Sequence, residues 1–74
     1  MNAAQLRETF GGSWDVGARE VWGLVHRGER ALKIELLHAS DWRCSIFERG
    51  ACIASSRHDH AITAIRTALG MLEP

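Results

Sequence analysis

Between Val21 and Leu36 the apolar side chains fall on alternate positions, and the pattern is interrupted once, at Gly28-Glu29. A period of two belongs to a strand with one buried face. A two-residue loop with Gly at its first central position is a hairpin turn whose twist suits its flanking strands. Taking Gly28-Glu29 as that loop sets Arg27 opposite Arg30, Val25 opposite Leu32, Gly23 opposite Ile34 and Val21 opposite Leu36. One face of the hairpin is then wholly apolar, and a slip of one residue would turn that face to solvent. The register is strongly specified, with strands predicted over about 19–27 and 30–38.

A second hairpin is expected over about 42–48 and 51–56, joined at Arg49-Gly50. Continuous pairing around that turn sets Ile46 against Ile53 and Cys44 against Ser55 on one face, and Phe47 against Cys52 and Ser45 against Ala54 on the other. Ala39-Ser40-Asp41 has the length of a tight connection. With His38 opposite Trp42, Leu36 meets Cys44 and Ile34 meets Ile46, so the apolar faces of the two hairpins merge.

Helical spacing appears at both ends. Asn2 suits an N-cap ahead of Ala3, Leu6 and Phe10, and Gly11-Gly12 ends a short helix over about 3–10. Residues 13 to 18, with Trp14 and Val16, read as a link or a short extended piece. Ser56 and Asp59 imitate a capping box for a helix over about 58–72, whose stripe is Ile62, Ile65, Leu69 and Leu72 with Ala61 and Ala68 at its edge. Gly70 stands at or near its end, and Pro74 cannot continue it. The expected fold is α+β and two-layered: a four-stranded antiparallel meander with a short N-terminal helix and a C-terminal helix packed on the sheet, in the order α-β-β-β-β-α. Its 74 residues form a single domain, 1–74, because so short a chain cannot bury a second core.

Residues 42 to 72, with the hairpin, Ser55-Ser56-Arg57 and a helix carrying Ala61, Ala64, Ala68, Leu69 and Leu72, resemble the C-terminal half of double-stranded-RNA-binding domains. The resemblance implies a two-layer fold. The chain departs from that family in having a fourth strand, and in carrying His58-Asp59-His60 where the family places a Lys-rich phosphate-binding run.

Nine Lys+Arg balance nine Asp+Glu. Counterion release needs clustered cations, so a generic polyanion binder is not the first expectation. No stretch approaches the roughly 18 apolar residues of a membrane span. Residues 1 to 8 have neither a basic n-region nor an apolar h-region, so a cytosolic setting without membrane contact is expected.

Side chains with chemistry are present without an evident arrangement. Residues two apart on a helix diverge by about 200°, so His58 and His60 cannot share a metal from regular helix. Neither Cys44 nor Cys52 has a partner at zinc-binding spacing. The register sends the two cysteines to opposite faces, which predicts free thiols. No nucleophile elbow or phosphate loop occurs. The expectation is no enzyme activity, no cofactor and no metal, with His58 and His60 as solvated residues at the helix start.

Alternation also places Trp22, Leu24, Leu37, Phe47 and Cys52 on the second face of the sheet, mixed with Glu20, His26, Lys33, Glu35, Arg43 and Ser45. A solvated antiparallel face is ordinarily polar. Either the first helix covers these residues, or they form an interface. The leading expectation is a small protein-interaction module that occludes a partner surface through Trp22, Leu24, Lys33, Leu37, Arg43 and Phe47. Small stand-alone domains of this style are common among phage- or mobile-element-encoded inhibitors of host complexes, anti-CRISPR proteins included. The alternatives are nucleic-acid binding, with Lys33, Arg43, Arg49 and Arg57 on phosphates, and a homodimeric structural protein.

Overall fold

The turns set the sheet. Gly28 has φ +65°, and Arg49 and Gly50 have φ +53° and +81°, so each two-residue loop takes a conformation that a right-twisted hairpin requires. The computed structural model describes residues 1–73; the helix stop expected at Pro74 lies outside them. It contains α1 (Ala3–Phe10), β1 (Ser13–Val16), β2 (Glu20–Arg27), β3 (Arg30–His38), β4 (Trp42–Glu48), β5 (Ala51–His58) and α2 (Ala61–Gly70). The strands form one antiparallel sheet in the order β1-β2-β3-β4-β5.

The sheet has five strands where four were expected. The added strand is β1, in which Trp14 pairs with Gly23 and Val16 with Val21. Four residues between glycines carry too short an alternation to be distinguished from a link. Around β3 the expected registers hold throughout, from Arg27 with Arg30 to Val21 with Leu36, and from Ile34 with Ile46 to His38 with Trp42.

Pairing of β4 with β5 departs from expectation in its middle. Phe47 meets Cys52, but Ile46 meets Ala54, Ser45 meets Ser55 and Cys44 meets Ser56, which leaves Ile53 without a partner. This is a β-bulge, one extra residue on β5. It overturns the Ile46–Ile53, Cys44–Ser55 and Ser45–Ala54 pairs, and Ile53 is left 36% exposed. Strand β5 also continues to His58, past the expected end at 56, so Ser56 lies in the strand and cannot cap a helix. Helix α2 accordingly starts at Ala61, after an N-cap His60 whose side chain makes no capping bond, and ends at Gly70 instead of 72.

The inner face of the sheet carries both helices. Leu6 and Phe10 of α1, Ala64, Ile65, Ala68 and Leu69 of α2, and Val21, Val25, Leu32, Ile34, Leu36, Cys44 and Ile46 of the sheet form one buried cluster. The buried stripe of α2 includes Ala64 and Ala68, with Ile62 and Leu72 only partly buried at its margins. Small side chains let the helix approach the sheet closely. The Ser56 hydroxyl donates a hydrogen bond to the Ala64 carbonyl, tying β5 to α2. Helix α1 is capped as expected, Asn2 Oδ1 accepting from the Gln5 amide at 2.8 Å, and it packs against β1. The Trp14 ring lies over Gly23, its Nε1 donates to the Gly11 carbonyl at 2.8 Å, and its centroid is 6.0 Å from that of Phe10.

Candidate functional site

With both helices on one side, the opposite side of the sheet is bare. Successive side chains of a strand point to opposite faces, so the registers arrange the outward residues in rows across the sheet. One row runs Glu20, Leu37, Arg43, Arg57; the next Asp15, Trp22, Glu35, Ser45, Ser55; the third Ser13, Leu24, Lys33, Phe47, Cys52. The bulge is what brings Ser55 and Arg57 outward, by reversing the alternation of β5 at Ile53.

The middle of this face is apolar and open. Leu24 is 45% exposed, and Trp22, Leu37 and Phe47 are partly exposed. Lys33 Nζ lies 4.7 Å from the Trp22 ring centroid, a cation–π contact that lays the lysine stem along the aromatic surface. Shallow depressions flank this pair, one lined by Trp14, Asp15, Leu24 and Lys33 among others, the second by Trp22, Lys33, Glu35, Phe47 and Gly50. Charge is polarised across the face. Asp15 and Glu20 stand on the β1–β2 side, while Arg43 and Arg57 lie opposite each other on the β4–β5 side.

The six residues expected to form an interface, Trp22, Leu24, Lys33, Leu37, Arg43 and Phe47, thus share one face across three adjacent strands. The four cations expected to meet phosphates are divided. Arg43 and Arg57 are neighbours, whereas Arg49 sits in the turn at the far end of β4 and Lys33 stands over Trp22. Asp15, missing from the sequence-derived set, joins the Trp22 row because β1 pairs with β2. The alternation of Trp14 and Val16 after two glycines is the signal that carries it.

The remaining chemistry-bearing groups are dispersed. Cys44 is fully buried and Cys52 exposed, and both are free thiols. Burial, with a smaller contribution from Cys52, pushes the Cys44 thiol up to about 12. Native protein should therefore react with a thiol reagent at one equivalent, through Cys52, and at two only after unfolding, as absorbance of the released chromophore will show. At the other end of the strands His58 Nδ1 accepts from the His60 amide at 3.1 Å, and the two rings lie 5.7 Å apart. Among the described residues no three His, Cys, Asp or Glu side chains are placed to hold a metal ion. The bidentate Arg30–Glu48 pair, at 2.8 and 3.2 Å, links β3 to β4 beside the Arg49-Gly50 turn. Hydrogen bonding to Arg30 holds the Glu48 carboxyl below its usual value. No helix among the described residues is long and apolar enough to cross a membrane.

No protein-family model, curated protein or solved structure matches this chain.

Proposed function

We propose that this chain is a non-enzymatic protein-binding module whose working surface is the outer face of its sheet. The observation that carries the reading is that α1 and α2 both pack on the inner face, leaving Trp22, Leu24, Leu37 and Phe47 without a cover. In a chain of 74 residues, apolar side chains left outside the core are a large share of those available. An apolar centre with a charged rim is the anatomy of a protein interface, and Trp with Arg is its usual hot-spot vocabulary. Such a module acts by contact alone.

The test is a Trp22→Ala, Phe47→Ala double variant. Loss of two aromatic anchors should weaken partner binding about a hundredfold or more, while far-ultraviolet circular dichroism stays native because neither side chain belongs to the buried cluster. Undiminished association of a natively folded double variant would overturn the reading. A second reading, nucleic-acid binding, is favoured by one feature, the Arg43–Arg57 neighbours beside an aromatic surface. Asp15, Glu20 and Glu35 on the same face oppose it. A binding curve for labelled RNA or DNA that falls steeply with salt would select this alternative.

A further inference from the structure

We propose that the partner taken by the outer face is a second copy of this chain, packed sheet on sheet about a two-fold axis. The inference rests on the reading of that face as a docking surface and names its occupant. The reason is that the polarity of the face is self-complementary. Acidic groups stand on the β1–β2 side and basic groups on the β4–β5 side, so turning one sheet over about an axis parallel to its strands brings each side against its opposite.

Few placements of that axis are acceptable. Centred on β3, it would set Glu35 on Glu35 and Lys33 on Lys33; perpendicular to the strands, through the Trp22 row, it would again stack Glu35 on itself. Shifted by half a strand spacing toward β4, it lays β2 over β5 of the partner subunit and β3 over its β4. Glu20 then faces Arg57 of the partner subunit, twice by symmetry. Over the β2–β5 overlap large groups meet small ones, Trp22 facing Ser55 of the partner subunit and Leu24 facing Cys52 of the partner subunit, while over the β3–β4 overlap the Lys33 stem lies on Phe47 of the partner subunit and Leu37 on the stem of Arg43 of the partner subunit. Interdigitation of that kind is what aligned sheets about 10 Å apart need.

The size of the face sets the strength. In this placement four strands of each copy overlap, about 4.8 Å apart over about 20 Å of length, a footprint of about 380 Å² per copy, below the ~800 Å² per partner of a standard interface. A dimer of micromolar affinity is expected, with helices on both outsides and the two sheets inside.

Charge reversal tests this pairing without touching the core, since Glu20 and Arg57 are exposed. Sedimentation of the wild type from about 1 to 300 µM should show concentration-dependent dimerisation. Glu20→Arg or Arg57→Glu alone sets like charges in contact at two symmetric places, and should weaken the dimer by about tenfold. The two changes together should restore it to within about threefold of wild type. A wild type that stays monomeric over this range, single variants that dimerise unchanged, or a double variant without recovery would each overturn the proposal. A monomeric wild type whose binding to another protein is lost in the Trp22→Ala, Phe47→Ala variant would leave the docking-surface reading standing while removing the second copy as its occupant.

Discussion

Ile65→Ala is expected to lose about 3–5 kcal/mol of stability, the upper part of the range for truncating a fully buried isoleucine. Ile65 has no exposed surface and sits on the buried stripe of α2 beside Ala64, Ala68 and Leu69. On α2 two of the three other buried side chains are alanines with nothing to extend, and the strands it overlies, β4 and β5, present Cys44, Ile46, Ala54 and Ser56 from a fixed backbone, so little relaxation is available. A domain this small holds about the lower end of the usual 5–15 kcal/mol, so the loss consumes most of it. Thermal unfolding followed by circular dichroism should show Tm falling by about 12–40 °C. Ile62→Ala, one turn away but only partly buried, is the control. It should fall well short of that effect, and equal losses at the two positions would mean the helix is rotated from the described orientation.

Gly23→Ala is expected to destabilise by about 2–4 kcal/mol, against the sign that backbone propensity gives. In a strand interior Gly is unfavourable relative to Ala by about 0.5–1 kcal/mol, so propensity alone predicts a gain. Here a Cβ would lie 2.4 Å from Cζ3 of Trp14, a separation no structure tolerates. The ring must leave. Its departure breaks the bond from Trp14 Nε1 to the Gly11 carbonyl and the contact with Phe10, and so loosens α1, which packs against β1. Hydrogen exchange should therefore report lost protection first across residues 3–16, with β3, β4 and α2 less affected. Removal of the ring should recover part of the loss, so Trp14→Leu combined with Gly23→Ala should be more stable than the sum of the single changes.

The parts of this fold legible in the sequence are those where turn length and alternation agree. Gly28-Glu29 and the short Ala39-Ser40-Asp41 connection admit one register each, and the pairs around β3 follow residue by residue. The β4–β5 hairpin misleads because Ile46 against Ile53 is a better apolar pair than Ile46 against Ala54. The true register is decided by something that alternation does not record. Helix α2 comes close through Ala64 and Ala68, and the strand beneath it presents Ala54 and Ser56, with the Ser56 hydroxyl occupied by the Ala64 carbonyl. Ile53 is expelled to make that fit.

For the candidate site, the outward residues of β2, β3 and β4 were legible from the same alternation, down to Trp22, Lys33 and Phe47. Whether α1 covers that face was not, since eight residues with Leu6 and Phe10 as apolar anchors can dock on either side of a sheet. The choice depends on β1, where Trp14 turns inward over Gly23 and draws Phe10 after it. The polarity of the face was hidden too, because Asp15 joins it through β1 and Arg57 through the bulge.

The displaced isoleucine has a further consequence, for growth of the sheet. A terminal strand eight residues long, without proline and with charge only toward its end, offers unpaired amides and carbonyls to any other extended chain, which is the usual route to fibrils. At Ile53 the ladder is interrupted and the strand bends, so an incoming strand meets five regular residues, Ala54 to His58, on one side of the kink and two, Ala51 and Cys52, on the other. Its neighbour at the opposite edge, Ser13–Val16, is too short to template much pairing. Both rims of the sheet are thus blunted, and association is directed to its broad surface.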